Sequence, residues 1–430
     1  MIRGLSQRLV PALLAAIALA LPAAADEQVH ALVERLQPAL EPGAAAPTLS
    51  VGPDAIPALA LLLDEGWIAA EWRSDGGPGV RLTTGLDEAL LAALAAQPLV
   101  ELRAFLGARA AAAPPPSEDQ RRTALRVLAR AGNAADVELL IELAAPPAEE
   151  TGVPATRRRL LEQALGEVVA RDPDAAWRVR ERFARVDGSL LSSLVRGVAQ
   201  AEADVALRAL ADLLTRRQTA DPLLLAELGK VAERVSPPAD ELVLAAVRAC
   251  LDSPPCAVLA AQALGALEDC DSAAVLIELL EVEDPNVAAA AGGALERIFG
   301  RGPRGARAWR EWHAAELRWW NKESVVCFRE LRSTDAAEAA SAIRRVAGHR
   351  IYRHELATAL AHCLTRREPD LVRLACGALA DVGSAAAVPA LIEALSHVDP
   401  EISAAAHAAL QRITGRDLPP DPEAWSRATA

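Results

Sequence analysis

The feature that most constrains this chain is that it repeats itself. When residues 261–301 are moved forward by 115 positions, they align with residues 376–416 without a gap. The matches include the tripeptide Leu-Ile-Glu, which begins at 276 and at 391, and the dipeptide Asp-Pro, which begins at 284 and at 399. An offset of 115 residues is about three units of a helical repeat of roughly 35–45 residues. The chain is therefore expected to fold as a row of similar units rather than around one closed core.

The spacing of apolar residues inside the repeat predicts helices. In the second copy, apolar residues recur between Leu371 and Val382 at the spacing of one helix face. Gly383-Ser384 interrupts this pattern, and residues 388–395 carry the apolar face of a second helix. Asp399-Pro400 then offers an N-cap and a first-turn proline for a third helix. Composition agrees, because 52% of residues are hydrophobic but only 3% are aromatic, which favours helices over sheets.

These helices predict an all-α fold, an alpha-alpha superhelix of stacked helical hairpins. Each helix has one apolar stripe that a single hairpin cannot bury, whereas neighbouring hairpins in a stack can. The succession of helix, glycine-containing turn, "VPALIEAL" and "DP" resembles HEAT repeats over 257–300 and 370–415. The resemblance implies a HEAT/armadillo-like solenoid that binds other proteins. The clearest further unit is 122–144, and weaker helical units lie near 160–185, 190–215 and 223–250.

The stretch "AALQRITGRDLPPDPEAW" at 408–425 predicts a joint that stops one helix and starts another. Gly415 can end the first helix in the left-handed conformation, and the prolines that follow cannot continue it. Asp421 then caps a new helix in which Trp425 is the fourth residue, placed to cover the preceding helix over Leu418. Bacterial HEAT-repeat proteins of the PBS-lyase HEAT-like type close repeat blocks with a similar element, and a looser version occurs at 293–312. We predict that the joint caps the last repeat, which has no further neighbour.

The N-terminus predicts export. Arg3 and Arg8 provide a positive start, residues 9–21 form an apolar run, and small residues end at Ala25 before Asp26. This pattern indicates a signal peptide at 1–25, cleaved after Ala25, and a periplasmic or secreted protein. An uncleaved membrane anchor is the alternative interpretation, although a span needs about 20 apolar residues. We expect no transmembrane span in the mature chain.

The remaining organisation is predicted from breaks in the pattern. The predicted regions are a helical N-terminal segment at 26–110, an Ala/Pro linker at 111–117, HEAT-like repeats at 118–300, a Trp/Arg-rich joint helix at 301–335, and C-terminal HEAT repeats with a capping helix at 336–430. Within the N-terminal segment, we predict helical structure at 54–66 and 86–107 and a loop or short hairpin at 71–85.

Charge and cysteine content limit the partners and the chemistry. The formal net charge of −13 argues against nucleic acid as the main partner, because proteins that bind phosphate backbones carry basic surfaces. None of the six cysteines forms a C-x-x-C motif. Two interpretations stay open for them: small buried apolar residues, or disulfides such as one between Cys250 and Cys256, which flank a turn.

Four of the eight tryptophans fall within 309–320, among arginines. We call residues 301–322 the Trp/Arg patch. It is either a binding surface for a protein, an anionic glycan or a lipid surface, or an internal capping helix with solvated arginines. Gly302, Pro303 and Gly305 exclude a continuous basic helix at its start. The candidate partner-binding residues are Arg304, Arg307, Trp309, Arg310, Trp312, Trp319 and Trp320.

No catalytic motif is present in the sequence. It contains neither G-x-S-x-G nor a glycine-rich phosphate loop. His349, His354 and His362 lie near Cys363 and Glu355, but their spacing does not predict a metal site, and surface histidines are the simpler interpretation. We therefore predict an exported, non-enzymatic scaffold without a cofactor. The alternative is an envelope- or glycan-associated adaptor that binds an anionic surface through the Trp/Arg patch.

Overall fold

The computed structural model of the protein describes residues 21–40, 47–68, 73, 79–146, 153–183, 188–216, 221–235, 238–300 and 302–429. These residues form the predicted all-α, HEAT/armadillo-like solenoid of helical hairpins. The chain divides into two compact units, Met1–Leu213 and Leu214–Ala430. Most of the predicted signal peptide, residues 1–20, lies outside the described residues, and the first described helix runs through its predicted cleavage site at Ala25.

The first unit consists of helices and one short strand pair. Its elements are α1 (Leu21–Leu36), α2 (Ile56–Glu65), β1 (Trp67–Ile68), β2 (Val80–Arg81), α3 (Thr84–Ala95), α4 (Leu99–Ala110), α5 (Glu118–Ala131), α6 (Val137–Ala144), α7 (Ala155–Arg171), α8 (Asp174–Arg182), α9 (Gly188–Val198) and α10 (Ala203–Arg216), which runs past the boundary of the unit. The strands pair antiparallel with Trp67 opposite Arg81, at the place where a loop or hairpin was expected. Gly66 ends α2 in the left-handed conformation, with a φ of 68°.

Helices in the first unit stack in two rows. One row consists of α3, α5, α7 and α9, each packed on the next, and a second row consists of α4, α6 and α8. Arg126 Nη2 donates to Asp87 Oδ2 at 2.5 Å, and Arg157 Nε donates to Glu118 Oε2 at 3.0 Å. Both ion pairs join residues 39 apart, which is the step from one repeat to the next. Since Asp87 belongs to α3, the N-terminal segment is part of the stack.

The segment predicted as helical at 86–107 consists of two helices. Pro98 disfavours helical geometry in the residue before it, and α3 and α4 meet there at a bend of 108°. No single described helix has the length and apolar composition of a membrane span. Helices α3 and α4 have that length and composition only when they are counted together as this bent pair. The predicted linker at 111–117 connects α4 to α5, whose start is fixed by a capping box between Ser117 and Gln120.

The second unit contains the two copies of the repeat. Its helices are α11 (Pro222–Ala232), α12 (Glu241–Arg248), α13 (Ala257–Ala266), α14 (Ala273–Leu279), α15 (Pro285–Phe299), α16 (Ala306–Lys322), α17 (Ser324–Glu330), α18 (Ala336–Ala347), α19 (Arg353–Ala361), α20 (Pro369–Val382), α21 (Val388–Ala394), α22 (Pro400–Thr414) and α23 (Pro422–Thr429).

The 115-residue repeat of the sequence is also a repeat of the structure. The bounds of α14 and α15 recur in α21 and α22 after 115 residues, without a shift at either end. Asp284 accepts from the backbone N–H of Asn286 at 2.8 Å, and Asp399 accepts from that of Glu401 at 2.9 Å. In both copies the last helix packs on the first, α15 on α13 and α22 on α20. The sequence identity between the two copies therefore corresponds to the same helix N-caps and to the same packing of the last helix on the first.

One glycine sets the distance between helices in the first copy. A Cβ atom on Gly265 of α13 would lie 2.8 Å from the Cα of Ala294 in α15. The absence of a side chain at Gly265 thus permits the close packing of these two helices.

The cysteines belong to the packed interior. All six are free thiols, and all except Cys270 are buried. Burial raises the pKa of the Cys250 thiol to about 11, so this residue is a small apolar group at neutral pH. The structure therefore favours the interpretation of the cysteines as small buried apolar residues, and no disulfide joins Cys250 to Cys256.

Candidate functional site: the Trp/Arg patch and its surroundings

The Trp/Arg patch begins with a glycine-rich joint. Gly300 and Gly305 have φ angles of 80° and 84°, a left-handed geometry that favours glycine. The Trp309 ring covers Gly302 so closely that a Cβ there would lie 2.0 Å from the ring. Trp309 is consequently buried, with 4% of its surface exposed.

Three aromatic rings cluster where the end of α15 meets the first half of α16. The centroid of the Phe299 ring lies 6.1 Å from that of Trp309 and 5.1 Å from that of Trp312. Trp309 and Trp312 meet edge to face at 5.4 Å. Such pairs contribute about 0.5–1.5 kcal/mol each beyond their burial. These rings pack the end of α15 against α16; Phe299 and Trp309 are buried, and Trp312 is half-buried.

The second half of α16 is fastened to the segment after α18. His349 stacks on Trp319 with ring centroids 3.6 Å apart, and its Nδ1 lies 3.0 Å from Glu316 Oε1. Glu316 Oε2 accepts from the backbone N–H groups of Arg350 at 2.9 Å and Ile351 at 3.2 Å. His349 is thus a packed residue, so the interpretation of a surface histidine was wrong for it.

Glu316 is a buried carboxylate that the sequence pattern did not single out. Its exposed fraction is only 6%. Burial by itself would raise the pKa of Glu316, but hydrogen bonds from His349, Arg350 and Ile351 outweigh it and hold the pKa below its usual value. Nothing in its local sequence indicates this role, because its partners lie more than 30 residues away.

The last tryptophan of the patch also contacts other rings. Trp320 lies 4.6 Å from Tyr352 and 5.9 Å from Phe328, measured between centroids. All four patch tryptophans therefore contact another aromatic or histidine ring, and two of them, Trp309 and Trp319, are buried. This geometry matches the interpretation of an internal capping helix.

The same joint recurs at the end of the chain. Trp425 is the fourth residue of α23, as Trp309 is of α16, and it is fully buried. Its Nε1 donates to the carbonyl of Pro419 at 2.9 Å, and its ring meets His407 edge to face at 6.1 Å. Helix α23 packs on α21 as α16 packs on α14. The predicted joint is confirmed, including the left-handed Gly415.

The described arginines of the patch lie at its surface. Arg310 donates to Glu278 at 2.8 Å, and this hydrogen bond lowers the pKa of the Glu278 carboxyl. Arg307 pairs with Glu311 one turn away. Arg304 and Arg318 are exposed, and neither has a carboxylate partner in the described part of the chain. Arg301, the first residue of the patch, lies outside the described residues.

A groove next to the patch was not expected from the sequence. A depression of about 740 Å³ is lined by Val325, Phe328 and Arg332, and a second of about 300 Å³ shares Phe328 and Arg332 and reaches His354 and His362. We call the two together the α17–α19 groove. A signal was available, because the spacing of Val325, Phe328 and Arg332 puts an apolar and basic stripe on one face of α17 and the turn after it.

The histidine cluster considered from the sequence does not assemble. His349 binds Glu316, whereas His354 and His362 line the α17–α19 groove. Across the described ranges, no group of three or more His, Cys, Asp or Glu residues is placed to hold a metal ion.

Comparison with known proteins gives only distant structural matches. No protein-family model matches the chain, and the search of curated proteins gave no significant match. Among solved structures, the karyopherin Kap121p bound to the extreme C-terminus of the protein phosphatase Cdc14p is 12% identical, with a TM-score of 0.38 over 85% of this chain and 42% of that one. Yeast importin-beta, Kap95p, is 10% identical, with a TM-score of 0.31 over 93% of this chain and 52% of that one. Human deoxyhypusine hydroxylase is 16% identical, with a TM-score of 0.24 over 66% of this chain and 97% of that one.

These comparisons define no family for the chain. This chain spans about half of the importin-beta chain and less than half of the Kap121p chain. The TM-scores are too low to support an argument about function. What the molecule itself defines is a class of protein, the HEAT/armadillo-like α-solenoid.

Proposed function

We propose that this protein is an exported HEAT-repeat scaffold of the bacterial PBS-lyase HEAT-like type, which binds other proteins and has no catalytic activity. The observation that supports this function is the stack of hairpins with a 115-residue repeat, because solenoids present extended surfaces suited to macromolecular partners. Fold alone is a weak guide to function, so the proposal has to be tested by direct measurement of binding to a partner protein.

Binding is tested by chemical crosslinking and affinity capture from the periplasmic fraction, followed by reconstitution with the purified partner. We expect a saturable complex of fixed stoichiometry in isothermal titration calorimetry. A purified protein that converts a substrate or carries a stoichiometric metal or pigment, and that binds no protein saturably, would overturn the proposal.

Export is tested separately, by cell fractionation and N-terminal sequencing of the purified protein. Cleavage after Ala25 gives a mature chain that begins at Asp26. Retention in the cytoplasm with an intact Met1 would contradict this part of the proposal without affecting the binding function.

The second candidate function is an adaptor that binds an anionic envelope surface or glycan through the Trp/Arg patch. The exposure of Arg304 and Arg318 favours it, whereas the packing of the patch tryptophans leaves little aromatic surface for it. The probes are phosphatidylglycerol vesicles and heparin, with the variant Arg304→Glu/Arg318→Glu. Binding that is equal in wild type and variant rejects this candidate.

A further inference from the structure

A pocket of about 210 Å³ in the second unit lies where the turn between α13 and α14 meets the start of α19. Five carboxylates line it, and we therefore call it the acidic pocket. They are Glu241, Glu268, Asp269, Asp271 and Glu355. Its lining also contains the buried apolar side chains of Leu244, Leu267 and Ile298. The pocket thus combines an apolar part with an acidic part.

The repeat shows that the turn does not require these carboxylates. Glu268 and Asp271 of the first copy correspond to Gly383 and Ala386 of the second, 115 residues later. The helices that follow the two turns, α14 and α21, begin at the same position of the repeat. Glu268 has a left-handed φ of 51°, where Gly383 has one of 69°, although a side chain disfavours this conformation. The first copy therefore keeps a carboxylate at a position where glycine would be less strained.

The opposite wall contains a second residue of this kind. Tyr352 has a φ of 50°, and together with Glu268 it completes the set of non-glycine residues with a left-handed φ in the described ranges. Both residues line the acidic pocket. The Tyr352 hydroxyl donates to Asp271 Oδ1 at 2.9 Å, which joins the two walls. Backbone strain of this kind concentrates at ligand sites, where the surrounding contacts maintain it.

Two arginines neutralise only part of the charge of the pocket. Arg353 Nη2 lies 2.7 Å from Glu268 Oε1. Arg248 lies 2.5 Å from Asp269 and 2.7 Å from Glu241. Five carboxylates therefore face two guanidinium groups, and negative charge is in excess.

Asp271 and Glu355 carry the charge that is least neutralised. Both are exposed; Asp271 lies 3.7 Å from Arg248, and Glu355 forms no ion pair with any described residue. Glu355 also borders the α17–α19 groove, but the carboxylates still outnumber the cations when Arg332 of that groove is counted. Arg297, which also lies near, is paired with a carboxylate outside the pocket. The pocket therefore complements a positive charge.

Two buried polar atoms in the lining lack a hydrogen-bond partner. In the described part of the second unit, His354 Nδ1 and Arg353 Nε are the only buried side-chain nitrogen or oxygen atoms in this state. The Arg353 side chain is just 10% exposed. Buried polar atoms are nearly always hydrogen-bonded, so both atoms point to a group that the chain itself does not supply. A neutral imidazole nitrogen accepts from an ammonium or guanidinium group, and the Arg353 Nε–H donates to a carbonyl; a basic residue in a peptide carries both.

The size of the pocket limits its occupant. Pockets for drug-sized ligands enclose about 300–1,000 Å³, so a pocket of about 210 Å³ suits a single side chain. The aliphatic stem of lysine or arginine can cover the apolar lining while its charged end meets the carboxylates. A metal ion fits less well, because no three His, Cys, Asp or Glu residues in the described ranges are placed to hold one.

We infer that the acidic pocket binds one lysine or arginine side chain of a partner protein, with its cation paired with Asp271 and Glu355. Electrostatic complementarity selects such a side chain and repels an acidic one. This role rests on the proposed scaffold function and adds to it the chemistry of the partner.

The test is selection from a displayed library of random short peptides against the full chain, with EDTA present to remove metal ions. Three forms are compared: wild type, the pocket variant Asp271→Asn/Glu355→Gln, and the control variant Glu283→Gln/Glu393→Gln. The control removes the same charge at two exposed carboxylates that form no ion pair with any described residue. All four side chains are exposed, so both variants are expected to fold, which circular dichroism checks.

Wild type and control should enrich peptides that share a lysine or arginine. A purified enriched peptide should bind the pocket variant at least about fivefold more weakly. Replacing the shared basic residue of the peptide by methionine keeps an apolar stem and removes the charge. This replacement should weaken binding to wild type and control at least about fivefold, but binding to the pocket variant by less than about twofold, because the charge pairs are already lost there.

Other outcomes overturn the inference. These are enrichment of peptides without a shared basic residue, no enrichment, or the same loss on methionine replacement in all three forms. Agmatine and cadaverine test for a free cation in calorimetry. If wild type binds them saturably, the pocket variant does not, and no peptide is enriched, the pocket belongs to a small amine and not to a partner protein. If a reconstituted partner binds wild type and pocket variant equally, the inference fails while the scaffold function stands.

Discussion

The close packing of α13 on α15 predicts that a side chain added at Gly265 lowers the free energy of unfolding. Gly265→Ala would place a Cβ 2.8 Å from the Cα and 3.1 Å from the Cβ of Ala294. Because the first of these atoms is backbone, no rotamer change can relieve the contact. The two helices would have to separate by about half an ångström, and the well-packed interface would lose contacts along its length.

The expected cost follows from two opposing effects. Overpacking of a core typically costs about 1–3 kcal/mol. Alanine in place of glycine inside a helix returns about 0.5–1 kcal/mol through backbone entropy. Gly265→Ala should therefore lower the free energy of unfolding by up to about 2.5 kcal/mol. The matched control is Gly293→Ala in α15, where the added Cβ meets no atom within 4 Å, so only the helix-propensity gain remains.

Urea denaturation followed by circular dichroism measures the two variants, and hydrogen exchange localises the effect. Repeat proteins lose stability locally, so Gly265→Ala should accelerate exchange in α13–α15 and leave α20–α22 unchanged. If Gly265→Ala matched or exceeded the stability of Gly293→Ala, the interhelical contact deduced at this glycine would be refuted.

Two further predictions concern the joints. Trp425→Ala should cost about 3–5 kcal/mol, since it empties a fully buried site and removes one of the two hydrogen bonds that the Pro419 carbonyl accepts. Fast hydrogen exchange in α22 and α23 would show this loss, whereas native-like protection there would contradict the capping role. Glu316→Gln should destabilise the protein by about 1–3 kcal/mol at pH 7 because the charged acceptor is lost. The lowered pKa of Glu316 stabilises the fold above the pKa of the unfolded chain, about 4.3, and this contribution disappears as pH falls through the folded pKa. Wild type and Glu316→Gln should thus converge in acid denaturation, and a constant gap down to pH 2 would argue against this account.

The places where sequence prediction succeeded are those governed by near neighbours. Asp399 caps the helix that starts with the next residue, and Gly415 ends that helix, as their types predict. Both effects depend on backbone groups within four residues. The helical structure predicted at 86–107 is present as two helices, because its apolar pattern continues across Pro98 and only the proline marks the break.

For the candidate site, too, the sequence predicted the local element but not its contacts with distant residues. The sequence indicated that residues 301–322 form an unusual element and left open whether its rings face a partner or the interior. Contacts with Phe299, His349 and Tyr352 place the rings inside the joint. The binding role of the exposed arginines stays a prediction.

By itself, the sequence determined the helical repeat, its 115-residue register and the caps that bound each helix, because these features are encoded in apolar periodicity and in short-range hydrogen bonding. Tertiary structure alone decided which side chains meet across helices. It joined Glu316 to His349, brought Gly265 against Ala294, and left Arg329 without a carboxylate partner among the described residues. The physical reason is that an apolar stripe specifies which face is buried, whereas the distance and angle at which two helices cross specify what that face touches.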